Sequence, residues 1–152
     1  MIVLVGCSGE QSTGLDEDVL KEKKYNWRLV TSWPKNYPGL GMAPERIADL
    51  VEEMSNGQMT ITVYGAEEQV PAFGVFDAVS SGSHQMGHSG GYFWKGKVPA
   101  AQFFTSVPFG LTADEINAWV YRGGGLELWR EIYQPFNICL LYTSDAADEV
   151  DR

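Results

Sequence analysis

Gly87-His88-Ser89-Gly90-Gly91 is the densest chemical signal in the chain. It matches Gly-x-Ser-x-Gly, the elbow that exposes a nucleophilic serine between a strand and a helix in α/β-hydrolases. A serine nucleophile needs a base, and in that fold the chain order is serine, acid, histidine. The two histidines, His84 and His88, both precede Ser89. The residues after Gly91 are aromatic and basic and run into Pro99, which is poor material for the required helix. A serine hydrolase using Gly87, Ser89 and Gly91 therefore stands only as the alternative function, and no catalytic residue is assigned. His84 and His88 also have the i, i+4 spacing of a metal pair on a helix. The glycines around them oppose a helix, and no cysteine or carboxylate lies near, so they read as structural histidines.

The same stretch supports a binding role. From Ser83 a strand-like piece runs into Gly87, Gly90 and Gly91, then into Tyr92, Phe93 and Trp94. Ligands of open α/β sheets sit beyond the carboxyl ends of the strands. A strand that ends in glycines and then aromatics is thus a candidate lip of a binding site. The other reading is a tight turn followed by core aromatics, which is the stronger one for Phe93 and Trp94.

The elements that must carry this lip alternate in type. Asn26 to Trp33 alternates as a first strand, ended by Pro34. Pro44 opens a helix whose apolar face is Ile47, Leu50, Val51 and Met54, stopped at Asn56-Gly57. Met59, Ile61 and Val63 alternate with Thr60, Thr62 and Tyr64 in a second strand. Glu67 and Glu68 follow it as a solvated loop. Pro71 starts a second helix with Phe73, Phe76 and Val79 on one face, ending at Gly82. The third strand follows, and Ala101 to Val107 forms a fourth. Thr112 and Glu115 are spaced as a capping box. The helix they open buries Ile116, Trp119 and Val120 and breaks at Gly123-Gly124-Gly125. Leu126, Trp129, Ile132 and Tyr133 mark a last helix, stopped by Pro135. Strand, helix, strand, helix, strand at roughly 30 residues per unit implies an α/β fold with a mostly parallel sheet flanked by helices.

The net charge is −9 with a pI near 4.6, so nucleic acid is an unfavourable partner. No apolar run reaches the roughly 20 residues of a membrane-spanning helix. The two cysteines, Cys7 and Cys139, have no spacing that makes a metal motif or a disulfide framework.

The two ends differ from the middle. Leu4-Val5-Gly6-Cys7 follows the bacterial lipobox, in which the cysteine is acylated and becomes the mature N-terminus. Residues 1–7 are then the remainder of a lipoprotein signal, with Cys7 the lipidated residue and the membrane touched only through that anchor. Residues 8–25 read as a polar tether and 26–138 as the folded lobe. From Cys139 the string Cys-Leu-Leu-Tyr-Thr-Ser-Asp-Ala-Ala-Asp-Glu looks like the translation of a transposon adapter used in sequencing libraries. Residues 139–152 are therefore expected to be a non-native tail, with the native protein continuing past Ile138.

Four phrases in order resemble one family: Trp27-Arg28-Leu29-Val30-Thr31-Ser32-Trp33-Pro34, Phe76 to Gly82, Met86-Gly87-His88-Ser89, and Tyr92-Phe93-Trp94-Lys95-Gly96-Lys97. From Tyr25 to Ile138 the chain is similar to the N-terminal part of a TRAP-transporter solute receptor of the DctP type, near the subgroup that binds 2-oxo acids. The resemblance implies the truncated first lobe of a two-lobed periplasmic binding protein, type II-like, that closes on a small carboxylate and delivers it to the membrane components of a TRAP transporter. It implies transport without catalysis. The family's anchoring arginine, and the cation that the 2-oxo acid subgroup binds with its ligand, belong to the second lobe. No cofactor or metal ligand is assigned in this chain. What it offers is the first-lobe side of the cleft: Ser32 and Trp33 at the end of strand one, Ser89 and Tyr92 at the end of strand three, with Trp33 and Tyr92 leading. A first lobe alone lacks half its cleft, so a non-functional, unstable fragment is the remaining alternative.

Overall fold

The computed structural model describes residues 23–105 and 107–141. Cys7, most of the tether and most of the expected tail lie outside these residues. Three strands form one parallel sheet in the order β2-β1-β3. β1 is Tyr25–Thr31, β2 is Met59–Tyr64 and β3 is Met86–His88. β1 pairs with β2 from Tyr25↔Met59 to Val30↔Tyr64, and with β3 from Leu29↔Met86 to Thr31↔His88. All three carboxyl ends therefore point the same way. β1 stops at Thr31, two residues before Trp33, which leaves Ser32 and Trp33 beyond the ladder.

Side chains alternate across a strand, so each face of this sheet has its own cover. On one face Leu29, Ile61 and Val63 pack with Ala48 of α1 (Met42–Met54). On the other Val30 packs with Val75 and Ala78 of α2 (Val75–Ser80). The buried residues of α1 are Pro44 and Ala48, with Ile47 and Val51 half-buried beside them. Leu50 and Met54, expected on the inner face, are exposed. Positions 44, 48 and 51 give a narrow stripe, and the small Ala48 at its centre lets the helix lie close to the strands.

The expected helix from Pro71 is two pieces. Ala72–Gly74 is a single 3-10 turn, and α2 begins only at Val75. The change of pitch takes Phe73 off the buried face, while Phe76 stays in the core. The expected strand over 101–107 is instead a 3-10 helix, Pro99–Phe104. Pro99 supplies its first turn. The three-residue period puts Ala101 and Phe104 on one buried side, where they meet Trp129, Tyr133, Phe76 and Val98. Phe103 is left exposed.

α3 (Ala113–Arg122) and α4 (Gly125–Tyr133) close this helical half. Val120, Trp129 and Tyr133 are buried, and Ile116, Trp119, Leu126 and Ile132 half-buried, as the apolar spacing predicts. Gly124 turns between the helices at φ +84°, a left-handed conformation that favours glycine. The start of α3 has its capping box. The Thr112 N–H and hydroxyl both donate to Glu115 Oε2, at 2.8 and 2.9 Å, and these bonds hold the Glu115 carboxyl below its ordinary pKa. Thr112→Ala is expected to cost about 1 kcal/mol, read as a shift of the urea midpoint. An unchanged midpoint would mean that the cap contributes nothing.

Candidate functional site

The parallel register brings the predicted residues together beyond the ends of β1 and β3. The Ser32 N–H donates to the His88 carbonyl at 3.1 Å, extending the pairing one residue past the ladder. This sets the two serine hydroxyls face to face, with Ser32 Oγ and Ser89 Oγ 2.5 Å apart. Ser32 Oγ also lies 2.7 Å from the Ala72 carbonyl oxygen, which can only accept. The Ser32 proton is committed there, so the contact between the serines is made by the Ser89 proton. Ser89, Ser32 and Ala72 thus form a directed chain of hydrogen bonds tying β3, β1 and the turn before α2.

Trp33 is half-buried beside this chain. Its N–H donates to Thr31 Oγ1 at 3.2 Å, and its carbonyl accepts from the Ala66 N–H at 3.0 Å. The indole stands 5.0 Å from the His88 ring and 5.9 Å from Phe93, the latter edge-on. Among the described residues the indole N–H has no hydrogen-bond partner. Tyr92 lies 4.8 Å from Phe93 by ring centroids. Its ring folds back over Gly90, occupying the space a Cβ there would need, at 2.6 Å. A side chain at 90 would therefore displace the Tyr92 ring. Trp94 turns away into the core, where its Nε1–H donates to the Tyr133 hydroxyl at 2.9 Å.

Ser32, Ser89, Trp33 and Tyr92 thus share one ledge, with Phe93 as their common neighbour on the aromatic side. Sequence reasoning missed the Ala72 carbonyl, Thr31, His88 and Phe73. Thr31 and His88 are in register across the strands, with Thr31 Oγ1 and His88 Nδ1 3.5 Å apart. Phe73 reaches the ledge through Phe93, 5.2 Å away and edge-on. Glu67 and Glu68 tie their own loop. Glu67 Oε1 accepts from the Ala72 N–H, and Glu68 accepts from the Gly65 N–H and pairs with Lys35 at 3.3 Å.

Burial lowers His88 from 6.5 to a pKa of about 4, so the ledge is uncharged at neutral pH. As pH falls the unfolded chain takes up the His88 proton near 6.5, while the folded chain resists until about 4. The contribution of His88 is full above pH 6.5 and is lost as pH falls towards 4, amounting to roughly 3 kcal/mol. His84 is also lowered, by burial and then by Arg28, and acts in the same direction. Urea midpoints at pH 7.5 and 4.5 should therefore differ less in His88→Phe than in the parent. An equal acid loss in both would contradict this.

The geometry does not support the serine hydrolase reading. No histidine nitrogen lies within hydrogen-bond reach of Ser89 Oγ among the described residues. His84 Nδ1 faces the hydroxyl of Ser83, and His88 Nδ1 faces Thr31. After Gly90 comes a four-residue 3-10 turn, Gly91–Trp94, in place of the elbow's helix. A surface depression lined by Asp49, Glu52, Glu53, Asn56 and Gly57 lies at the other end of the sheet, and its carboxylates would repel an anion.

The parallel sheet flanked by helices is the part of the architecture that the comparisons with known proteins bear on. The bacterial extracellular solute-binding proteins of family 7, the DctP family, match residues 29–143, and the chain belongs to that family. It is 42% identical over 135 residues to a monocarboxylate 2-oxoacid-binding periplasmic protein of Nostoc, an overlap of 89% of this chain and 36% of that one. A TRAP periplasmic solute binding protein of Pseudoalteromonas atlantica, solved with sodium and pyruvate, superposes with a TM-score of 0.72 at 50% identity over 75% of this chain. One of Colwellia psychrerythraea, solved with calcium and pyruvate, gives 0.72 at 47% identity over 75% of this chain. This chain spans about a third of each relative's length, 36% of the Nostoc protein and 35% of both solved proteins.

Proposed function

We propose that this chain is the first lobe of a periplasmic receptor that delivers a small organic acid, a 2-oxo acid or related carboxylate, to a TRAP-type secondary transporter. The observation that carries the reading is the ledge of Trp33, Ser32, Ser89 and Tyr92, built at the strand ends of a lobe similar to pyruvate-holding receptors. Trp33 and Tyr92 pack on the carbon skeleton, and the indole N–H is free to donate to a keto or carboxylate oxygen. The serines act differently from simple donors. With its proton on Ser32, Ser89 presents lone pairs, so the tie holds the ledge in shape, and Ser89 donates to a ligand only by giving up its bond to Ser32. The carboxylate anchor and the cation ligands belong to a second lobe.

The receptor binds without turnover. It is held at the outer face of the membrane by lipid on Cys7, through the tether of residues 8–25. The test is calorimetry on the full-length receptor, cloned from its source past the codon for Ile138. Saturable binding of pyruvate, and none of an uncharged polyol such as glycerol, is the expected result. Silence towards every carboxylate, with ester hydrolysis that disappears in Ser89→Ala, would overturn the proposal.

A further inference from the structure

Phe73 is 70% exposed, a large apolar surface for a residue next to the core. It is not loosely placed. The backbone of its neighbour Ala72 is pinned on both sides, its carbonyl by Ser32 Oγ at 2.7 Å and its N–H by Glu67 Oε1 at 3.2 Å. The following Gly74 sits against the Pro71 ring, where an added Cβ would lie 3.2 Å from it. The turn therefore presents the phenyl ring at a fixed place. From there the rings run Phe73, Phe93, Trp33, with successive centroids 5.2 and 5.9 Å apart and both contacts edge-on. Both ends of this strip border the serine tie, Trp33 following Ser32 and Phe73 following Ala72, and none of the three side chains carries a charge. The strip is longer than the three-carbon skeleton of pyruvate, so a pyruvate seated at its Trp33 end would leave Phe73 untouched.

We propose that this strip receives the apolar substituent of a 2-oxo monocarboxylate, and that Phe73 at its far end is a specificity-determining residue favouring acids with a substituent larger than methyl. The inference rests on the receptor reading above. An uncharged aromatic strip gains nothing from a carboxylate. It removes apolar ligand surface from water in proportion to the length of the substituent. Pyruvate should therefore be nearly indifferent to Phe73, and a branched or aromatic 2-oxo acid should depend on it.

The experiment is calorimetric titration of the full-length receptor with pyruvate, 4-methyl-2-oxopentanoate and phenylpyruvate, in the parent, Phe73→Ala and Phe73→Leu. Phe73→Ala is expected to leave the pyruvate Kd within about twofold and to weaken the two larger acids by about tenfold. Phe73→Leu should recover most of that loss for the branched acid. An exposed ring can be removed without a cavity, so the melting midpoints should stay together. If no acid binds the parent, the receptor reading itself fails. If pyruvate binds the parent and the larger acids do not, the role of Phe73 is overturned. The same holds if Phe73→Ala shifts all three acids equally, as it would if the ring packed on a second lobe, or shifts none of them.

Discussion

Trp129→Ala is expected to cost about 3–5 kcal/mol, enough to consume much of the stability of a small domain. Trp129 is buried in α4, and its ring stacks on Phe104 at 5.2 Å with the planes 16° apart. Phe104 in turn stacks on Trp119 of α3 at 5.4 Å, and Tyr133 flanks Trp129 at 6.4 Å. The stack Trp119, Phe104, Trp129 thus joins α3, the 3-10 helix of residues 99–104 and α4, with Phe104 at its centre. The interior is close-packed, and neighbours held in separate elements relax only in part around a lost ring. Tyr133→Phe removes only the hydroxyl, which bonds the side chains of Trp94 and Trp129, and should cost about 1–2 kcal/mol. Urea unfolding of the parent and both variants checks the order. A Trp129→Ala loss no larger than that of Tyr133→Phe would show that the stack is not what joins these helices.

Gly91→Ala should cost about 1–3 kcal/mol and weaken ligand binding with it. A Cβ at Gly91 would stand 2.6 Å from the Ala101 carbonyl oxygen and 3.1 Å from its carbon. These are backbone atoms of a fully buried residue, so no side chain can rotate out of the way. The relief must come from lifting the turn that carries Tyr92 and Phe93, and with it the aromatic side of the ledge. Gly96 is the internal control. Nothing lies within 4 Å of its Cβ position, so Gly96→Ala should be nearly neutral. Equal melting midpoints for the two variants would mean that the close approach at Gly91 places no constraint on the lip.

The sheet was legible in the sequence where burial is one-sided. Met59, Ile61 and Val63 alternate because one face of β2 packs on α1, and Leu29 follows the same rule in β1. The ends of α3 and α4 were legible because the capping box and Gly124 act within a few residues. What tertiary packing decides was not legible. Residues 101 to 107 read as a strand, and only the buried position of Ala101 and Phe104 against Trp129 and Tyr133 selects the 3-10 form. Leu50 and Met54 fit a helical period, but small Ala48 faces the sheet in their place.

The site divides in the same way. That Ser32, Trp33, Ser89 and Tyr92 should meet follows from parallel strands whose ends coincide, which the strand order implies. The direction of the serine protons depends on the Ala72 carbonyl, 40 residues away from Ser32, and no local pattern announces it. The role of His88 as the neighbour of Trp33 and the exposure of Phe73 depend equally on contacts between segments far apart in the chain.

The claim that this ledge touches the ligand is tested most directly at Trp33. In the full-length receptor, pyruvate should produce a saturable change in tryptophan fluorescence. Trp33→Phe should remove most of that change and raise the Kd by about tenfold, because it deletes both the free indole donor and part of the packing surface. An undiminished fluorescence change at unchanged affinity in Trp33→Phe would place the ligand elsewhere and contradict the assignment of this lobe's strand ends as a wall of the binding cleft.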